Sequence, residues 1–411
     1  MKVVIINRSD TTGGAAIASH RLLHALIDAG VEANMLVIDK QQPDPAVTAV
    51  GSSLKNKWKF GLERLLVARY NGFSRRTLFM IDPATHGLDL SQHPLVQAAD
   101  VIVLGWINQG MLSLEGIGKL AALGKPVVWV MHDMWNCTGV CHHAYECEAF
   151  KNECRACPLL CCDTFSTRTQ RLKAELYKKY GNIHFVAVSH WLADKCRESA
   201  LMQNSDISVI ANAFPIEKFT PQRLPNSDYG IDLDKKVVVM GAARLDDPVK
   251  GFDLMLATTQ HISRERPDLA ERLHLLLFGG IKDASLLKQI AVPFTHLGTV
   301  SDVASVYAHA DVVLSTSRYE TLPTTLIEGQ ACGCVPVTFG QGGQADIVEH
   351  LKTGYIADYK DFASLAQGMA WAIDAPIARQ QLHTEVERKF AAAKVAAQYV
   401  ELFEKLLATP Q

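Results

Sequence analysis

The chain has 411 residues, 48% hydrophobic and 20% charged, with a formal charge of −2 at pH 7. That length exceeds one ordinary hydrophobic core and predicts two domains. The near-neutral charge argues against a general nucleic-acid binder, and the absence of any run of 18 apolar residues argues against a membrane-spanning protein.

The N-terminus, MKVVIINRSD, turns polar after four apolar residues, which is too short for an export signal. The ten cysteines are then expected as reduced thiols or metal ligands, and the protein as cytosolic. Along the chain, short apolar runs alternate with helical patterns. Val3–Ile6, Met35–Ile38, Val101–Leu104, Val127–Met131 and Phe185–Val188 read as buried parallel strands. Ala15–Ala29, Leu112–Leu123 and Arg168–Lys179 read as helices between them. A second series of strands is Val237–Met240, Leu273–Phe278, Val312–Leu314 and Val335–Val337, alternating with helices at Asp253–Ser263, Val303–Ala310 and Phe362–Ile373. Lys389–Leu407 is expected to close the chain as one amphipathic helix. Such alternation predicts an α/β fold of two doubly wound, Rossmann-like sheets. Pro215, Pro221 and Pro225 put the join between Asn212 and Lys235.

Ligands of open α/β sheets bind beyond the carboxyl ends of strands, so motifs in those positions carry the functional argument. Gly13-Gly14 follows the first strand and suits a phosphate or sugar hydroxyl, without the GxGxxG spacing of a nicotinamide site. From Leu54 to Phe79, Lys55, Lys57, Lys59, Arg64, Arg69, Arg75 and Arg76 face a single acid, Glu63, with Trp58, Phe60, Leu62, Leu65, Leu66, Tyr70 and Phe73 interleaved. The segment reads either as a docking face for the anionic inner membrane or as a solvated helix with its apolar side on the core. His132-Asp133 ends a strand, where the histidine either meets a sugar or ties down nearby backbone. Cys141, Cys147, Cys154 and Cys157 follow it with the softness and number that suit a closed, structural zinc site. Cys137, Cys161, Cys162, His142 and His143 are substitute ligands. Free thiols, an iron–sulfur cluster and disulfides stay open as alternatives.

In the second half, Arg244 and Lys250-Gly251 stand between a strand and a helix, where an arginine fork and a mobile ammonium suit a diphosphate. The alternative is a pair of surface cations balanced by Asp246 and Asp247. Gly279-Gly280 and Gly298-Thr299-Val300 also follow apolar runs, offering backbone for a base or sugar to approach. Glu320 and Glu328 flank the start of a short helix expected over 324–332, with Pro323 in its first turn and Gly333 at its end. They read as hydroxyl acceptors beside a phosphate site, or as two solvated glutamates.

Together these motifs resemble the family four retaining glycosyltransferases of the GT-B fold, over nearly the whole chain. Glu320-x7-Glu328 is similar to that family's paired-glutamate motif, and Arg244 with Lys250-Gly251 to its diphosphate clamp. Ser189-His-Trp-Leu192 and Ile210-Ala-Asn-Ala213 resemble its interdomain segment, although the usual Asn-Gly-Ile-Asp is absent. Gly342-Gly343-Gln-Ala-Asp346 resembles a further element with Asp in place of Glu. More narrowly, Gly13-Gly14-Ala-Ala, His132-Asp133-Met-Trp135 and the spaced cysteines resemble the bacterial exopolysaccharide, colanic acid biosynthesis subgroup. The resemblance implies domains at 1–213, with a zinc-knuckle-like insertion at 135–165, and at 214–385, facing a central cleft, and a helix at 386–411 returning to the first domain. It implies transfer of a sugar from a nucleotide diphosphate sugar to a glycan or lipid-linked oligosaccharide, with retention and no catalytic metal, in cell-surface polysaccharide synthesis at the cytoplasmic membrane face. His132, Arg244, Lys250 and Glu320 are the implied catalytic residues. Gly13, Gly14, Gly279, Thr299, Val300, Thr321, Leu322, Thr324 and Glu328 join Arg244, Lys250 and Glu320 as implied donor contacts. The rival readings are a nucleotide-sugar epimerase or hydrolase, which would consume donor without acceptor, and a silent glycan-binding scaffold, which would bind no nucleotide sugar.

Overall fold

The computed structural model describes residues 1–51, 54–161 and 163–409. Cys162 and the side chain of Lys55, both singled out above, lie outside the described residues. The chain divides into two units, Met1–Phe214 with Ala392–Gln411, and Pro215–Ala391.

In the first unit, strands β1 (Lys2–Ser9), β2 (Glu32–Asp39), β3 (Val47–Ala49), β4 (Val101–Leu104), β5 (Val127–Met131), β6 (Ile183–Ala187) and β7 (Ile207–Val209) form one parallel sheet, ordered β3-β2-β1-β4-β5-β6-β7. Val3 to Ile6 and Val101 to Leu104 are almost wholly buried, as central strands covered on both faces must be. Helices α1 (Gly14–Asp28), α2 (Leu54–Tyr70), α3 (Pro94–Ala98), α4 (Leu114–Ala121), α5 (Asp163–Lys179) and α6 (His190–Glu198) make the crossovers. The helix expected from Leu112 starts at Leu114, because the Ser113 side chain accepts the Gly116 N–H and caps it.

The second unit repeats the plan with β8 (Lys236–Arg244), β9 (Leu273–Gly280), β10 (Phe294–His296), β11 (Val312–Ser315), β12 (Val335–Phe339) and β13 (Tyr355–Ala357), ordered β10-β9-β8-β11-β12-β13. Its helices are α7 (Phe252–Glu265), α8 (Pro267–Arg272), α9 (Val303–Ala308), α10 (Thr324–Ala331), α11 (Gln344–Ile347), α12 (Phe362–Asp374) and α13 (Arg379–Phe390). In each unit the first strand pairs on one side with the second and on the other with the strand that follows the edge, so the winding direction reverses there. Those switch points, β1/β4 and β8/β11, are where crevices open beyond the strand ends.

The single closing helix expected over Lys389–Leu407 is two helices. Ala391 leaves helical geometry at ψ 136°, ending α13 before α14 (Ala392–Ala408). Leu382, Val386 and Phe390 bury α13 in the second unit, whereas α14 packs on α1 in the first. The expected segment therefore spans a boundary at 391/392.

The cysteine-bearing stretch between β5 and α5 is largely irregular, with single 3-10 turns at Trp135–Cys137 and Ala149–Lys151. Trp135, Val140 and Phe150 are buried within it. Nζ of the fully buried Lys173, whose pKa burial lowers to about 7, donates to the Trp135 carbonyl at 2.6 Å and the Thr138 carbonyl at 3.1 Å, and packs 3.4 Å from the Trp135 ring centroid. Apolar anchors and the Lys173 amine thus hold the stretch against the body of the unit.

Candidate active site

The second unit's switch point gathers the charged motifs. β8 ends at Arg244, whose guanidinium donates to Asp247 Oδ2 at 2.8 Å and lies 3.5 Å from Asp246 Oδ1. Asp247 uses its other oxygen to accept the Val249 N–H at 3.0 Å, capping the turn Pro248–Lys250. The chain then enters α7 through Gly251 at φ +67°, where a Cβ would stand 2.1 Å from the Thr316 carbonyl. Only glycine allows that approach.

From the neighbouring strand β11, the following loop is laced to this turn. Thr316 Oγ1 donates to the Lys250 carbonyl at 2.8 Å, and the Arg318 N–H to the Val249 carbonyl at 2.8 Å. The Arg318 guanidinium pairs with Asp253 at 2.6 Å. Lys250 Nζ then donates to Glu320 Oε1 at 2.5 Å, so residues 70 positions apart form one polar cluster. The Glu320 carbonyl accepts the Gly343 N–H at 2.9 Å, and Gly342, at φ +127°, would place a Cβ 2.2 Å from that carbonyl. The Gly342-Gly343 element is therefore the floor under Glu320.

Helix α10 starts at Thr324 as expected, with Pro323 as its N-cap and no side-chain cap, and ends at Ala331, one residue short of the expected 332. Thr321 and Thr324 are half-buried beside it and Leu322 is buried. Glu328 sits half-buried on α10 near Tyr307. Burial, with the Glu328 carboxylate, pushes the Tyr307 phenol well above its ordinary range. At the next strand ends, the Gly279 N–H donates to the Gly298 carbonyl at 2.6 Å, with Thr299 exposed and Val300 half-buried.

Gly13, Gly14 and His132 belong to the first unit. Gly13, at φ +90°, is the N-cap of α1 and offers no side-chain cap; a Cβ on either glycine would meet nothing within 4 Å. Packing does not require these glycines, and open space lies before the helix. His132 follows β5 in a small pocket with Ile5, Ser19, Gly105, Val130 and Asn212. Burial, against the opposing Asp133 charge, lowers its pKa to about 4, so the imidazole is neutral at pH 7.

Asp133 is a brace. Its Oδ1 accepts the Trp135 N–H at 2.8 Å, and its Oδ2 accepts both Trp106 Nε1 and His142 Nδ1 at 2.8 Å. Burial works against its ionisation, but His142, His143 and the Trp135 N–H outweigh it and hold the carboxyl far below its usual range. The sequence reading missed Trp106, His142, Thr316 and Arg318 in these roles. Trp106 follows β4 at the switch point and Arg318 follows β11, so a search of every strand end would have found both.

The four cysteines lie in one stretch of the first unit after β5. Cys141, Cys154 and Cys157 lie near enough to influence one another's ionisation, and Cys154 Sγ accepts the Gly139 N–H at 3.2 Å. Yet among the described residues they form no group of three ligand atoms within 4.8 Å of one another, and a tetrahedral zinc site needs that spacing. Burial pushes the Cys154 thiol up to about 11 and Cys141 higher.

On α2, Glu63 and Arg64 are buried and paired with each other, and Arg64 also reaches Asp82 at 3.5 Å. They therefore leave the surface charge count. Trp58, Leu65 and Phe73 are 67%, 60% and 70% exposed, with Lys57, Arg69, Arg75 and Arg76 exposed among them. No helix among the described residues is long and apolar enough to cross a membrane.

Residues 234–375 match the family described as Glycosyl transferases group 1. The chain is 24% identical to the D-inositol 3-phosphate glycosyltransferase of Corynebacterium urealyticum, over 75% of this chain and 76% of that one. It is 23% identical to the N-acetyl-alpha-D-glucosaminyl L-malate synthase of Bacillus anthracis, over 54% of this chain and 59% of that one. Anabaena Alr3699/HepE, solved with UDP and glucose, superposes over 98% of this chain and 99% of its own with a TM-score of 0.64 at 16% identity. The two share a fold, the GT-B fold of glycosyltransferases.

Proposed function

We propose that this chain, whose second unit matches the group 1 glycosyltransferases, transfers a hexose from a nucleotide diphosphate sugar to a hydroxyl acceptor with retained configuration. The observation that carries the reading is that Arg244 and Lys250 follow β8 and Glu320 follows the neighbouring β11, with Lys250 bonded to Glu320 across that switch point. Arg244 and Lys250 would grip the diphosphate and stabilise the charge that grows on it as the C1–oxygen bond breaks. Glu320 would hold donor-sugar hydroxyls and Glu328 the nucleotide ribose, with Thr321 to Thr325 setting sugar selectivity. Gly279, Thr299 and Val300 would border the base. In the first unit, the open start of α1 at Gly13-Gly14 and the neutral His132 imidazole would offer hydrogen bonds to a sugar. The acceptor oxygen forms the new bond to C1, and its proton passes to a departing phosphate oxygen, so no catalytic metal is required.

The acceptor we assign is a glycan, carried on a lipid, in bacterial surface polysaccharide synthesis of the family four, exopolysaccharide type. The exposed aromatic and basic residues of α2 and the loop after it support work at the cytoplasmic membrane face. Thermal-shift screening of nucleotide sugars, repeated with Lys250→Ala, tests the donor assignment. Stabilisation by one or more donors in the wild type, lost in the variant, is the expected result; no stabilisation by any donor refutes it. Donor breakdown that proceeds equally without acceptor would favour a hydrolase.

A further inference from the structure

Away from that site, His20 and His24 stand one turn apart on α1, so their rings share a face. Both meet one carboxylate from the loop between β2 and β3. His20 Nε2 lies 2.8 Å and His24 Nε2 2.7 Å from Asp44 Oδ2, and the two rings sit edge to face with centroids 4.7 Å apart. Among the described residues, this is the group whose ligand atoms all fall within 4.8 Å of one another.

The carboxylate is held in place. Asp44 Oδ1 accepts the Ala46 N–H at 2.9 Å, which aims Oδ2 at the histidines. Lys40 Nζ donates to the Asp44 and Val47 carbonyls at 2.7 Å each, and the Asp10 carboxylate accepts the N–H groups of Gln41 and Gln42. The loop that delivers the ligand is therefore pinned on both sides before any ion arrives. Asp44 is 10% exposed, His20 19% and His24 46%, so the group opens to solvent on the His24 side.

We propose that His20 Nε2, His24 Nε2 and Asp44 Oδ2 bind one divalent transition-metal ion of the imidazole-preferring class, such as Zn2+. Two imidazoles and one carboxylate form a three-ligand set that leaves a position for water, as open zinc sites do. N–O separations of 2.7–2.8 Å would widen to roughly 3.3 Å around a tetrahedral ion about 2 Å from each atom. Both rings would then face the ion through lone pairs in their neutral form. Such an ion would fasten the β2–β3 loop to α1, the helix whose first turn holds Gly14. This site is independent of the proposed transfer chemistry and stands or falls apart from it.

Titrating the full chain with Zn2+ by calorimetry, and counting zinc retained after dialysis, reads the site directly. His24→Ala and Asp44→Asn are each expected to retain one zinc fewer per chain than the wild type, with unchanged far-UV circular dichroism. Cobalt substitution separates this site from the cysteines. The absorption lost in His24→Ala should be visible d–d bands alone, without sulfur-to-cobalt charge transfer in the near ultraviolet. Equal zinc counts in wild type and His24→Ala overturn the proposal, as does a lost cobalt signal carrying sulfur charge transfer. If Asp44→Asn does not fold, the half-exposed His24→Ala decides alone.

Discussion

Lys250 Nζ donates to Glu320 Oε1 across 2.5 Å, joining the turn after β8 to the loop after β11. With side chains 34% and 19% exposed, this ion pair contributes on the order of 0–1 kcal/mol to folding. An arriving diphosphate would share the ammonium, while the carboxylate turned to sugar hydroxyls. Lys250→Ala and Glu320→Ala should each lower kcat by about 10²–10³, the scale of losing one preorganised electrostatic group. Their urea midpoints should barely move, and the double variant should lose less than the sum of the two. Wild-type turnover in either single variant would sink the assignment.

Two glycines at this site and one in the first unit separate strain from access. Gly251→Ala must put a methyl 2.1 Å from the Thr316 carbonyl, and Gly342→Ala 2.2 Å from the Glu320 carbonyl, both at positive φ. Each should cost roughly 1–3 kcal/mol in urea unfolding and lower transfer as well. Gly14→Ala is the contrast. It opens α1 in free space, so stability should rise by about 0.5–1 kcal/mol while donor turnover falls. A Gly14→Ala enzyme with unimpaired turnover would remove that glycine from the donor site.

The central strands and their switch points were legible because Val3–Ile6, Val101–Leu104 and Val312–Leu314 are unbroken apolar runs. The edge strands β3, β7, β10 and β13 have three residues each, too few for periodicity to declare itself. Glu320 and Lys250 were legible as types in positions, but their direct contact was not, since 70 residues of chain lie between them. The cysteine spacing suggested a metal, but gave no sign that Lys173, from the following helix, would bond the Trp135 carbonyl within the same stretch. Arg64 was read as surface charge, yet it is buried against its neighbour Glu63 and against Asp82, which only folding brings near. His20 and His24 carried an i, i+4 signal that was passed over, because their third partner comes from another element.

His132 should leave its mark on stability against pH. Burial sets its folded pKa near 4, below the ordinary 6.5. Between those values the unfolded chain holds a proton that the folded chain does not. Stability from this group is therefore complete above pH 6.5 and falls as pH drops towards 4, by at most roughly 3 kcal/mol. His132→Gln should flatten that part of the curve relative to wild type, read as urea unfolding at pH 7.5 and 4.5. Parallel curves for the two proteins would show that the imidazole titrates normally.

The last prediction concerns the exposed face of α2 and the loop after it. Leu54, Trp58, Leu62 and Leu65 fall at helical spacing along one side and are all exposed, while Val67 and Glu63 point inward. Lys57 and Arg69 flank this stripe, and Arg75, Arg76 and the 70%-exposed Phe73 follow it. A purely structural helix gains nothing from leaving Trp58 and Leu65 in water, whereas an interfacial one inserts them beneath the headgroups. The full chain should therefore sediment with vesicles containing phosphatidylserine and not with neutral ones. Arg75→Gln with Arg76→Gln should weaken that partition by about tenfold or more, since each basic residue near the surface is worth about 1 kcal/mol. Trp58→Ser with Leu65→Ser should weaken it further without lowering the melting temperature, and added salt should mimic the arginine changes but not the apolar ones. Equal binding to neutral and anionic vesicles, or to neither, would return this face to an ordinary solvated surface.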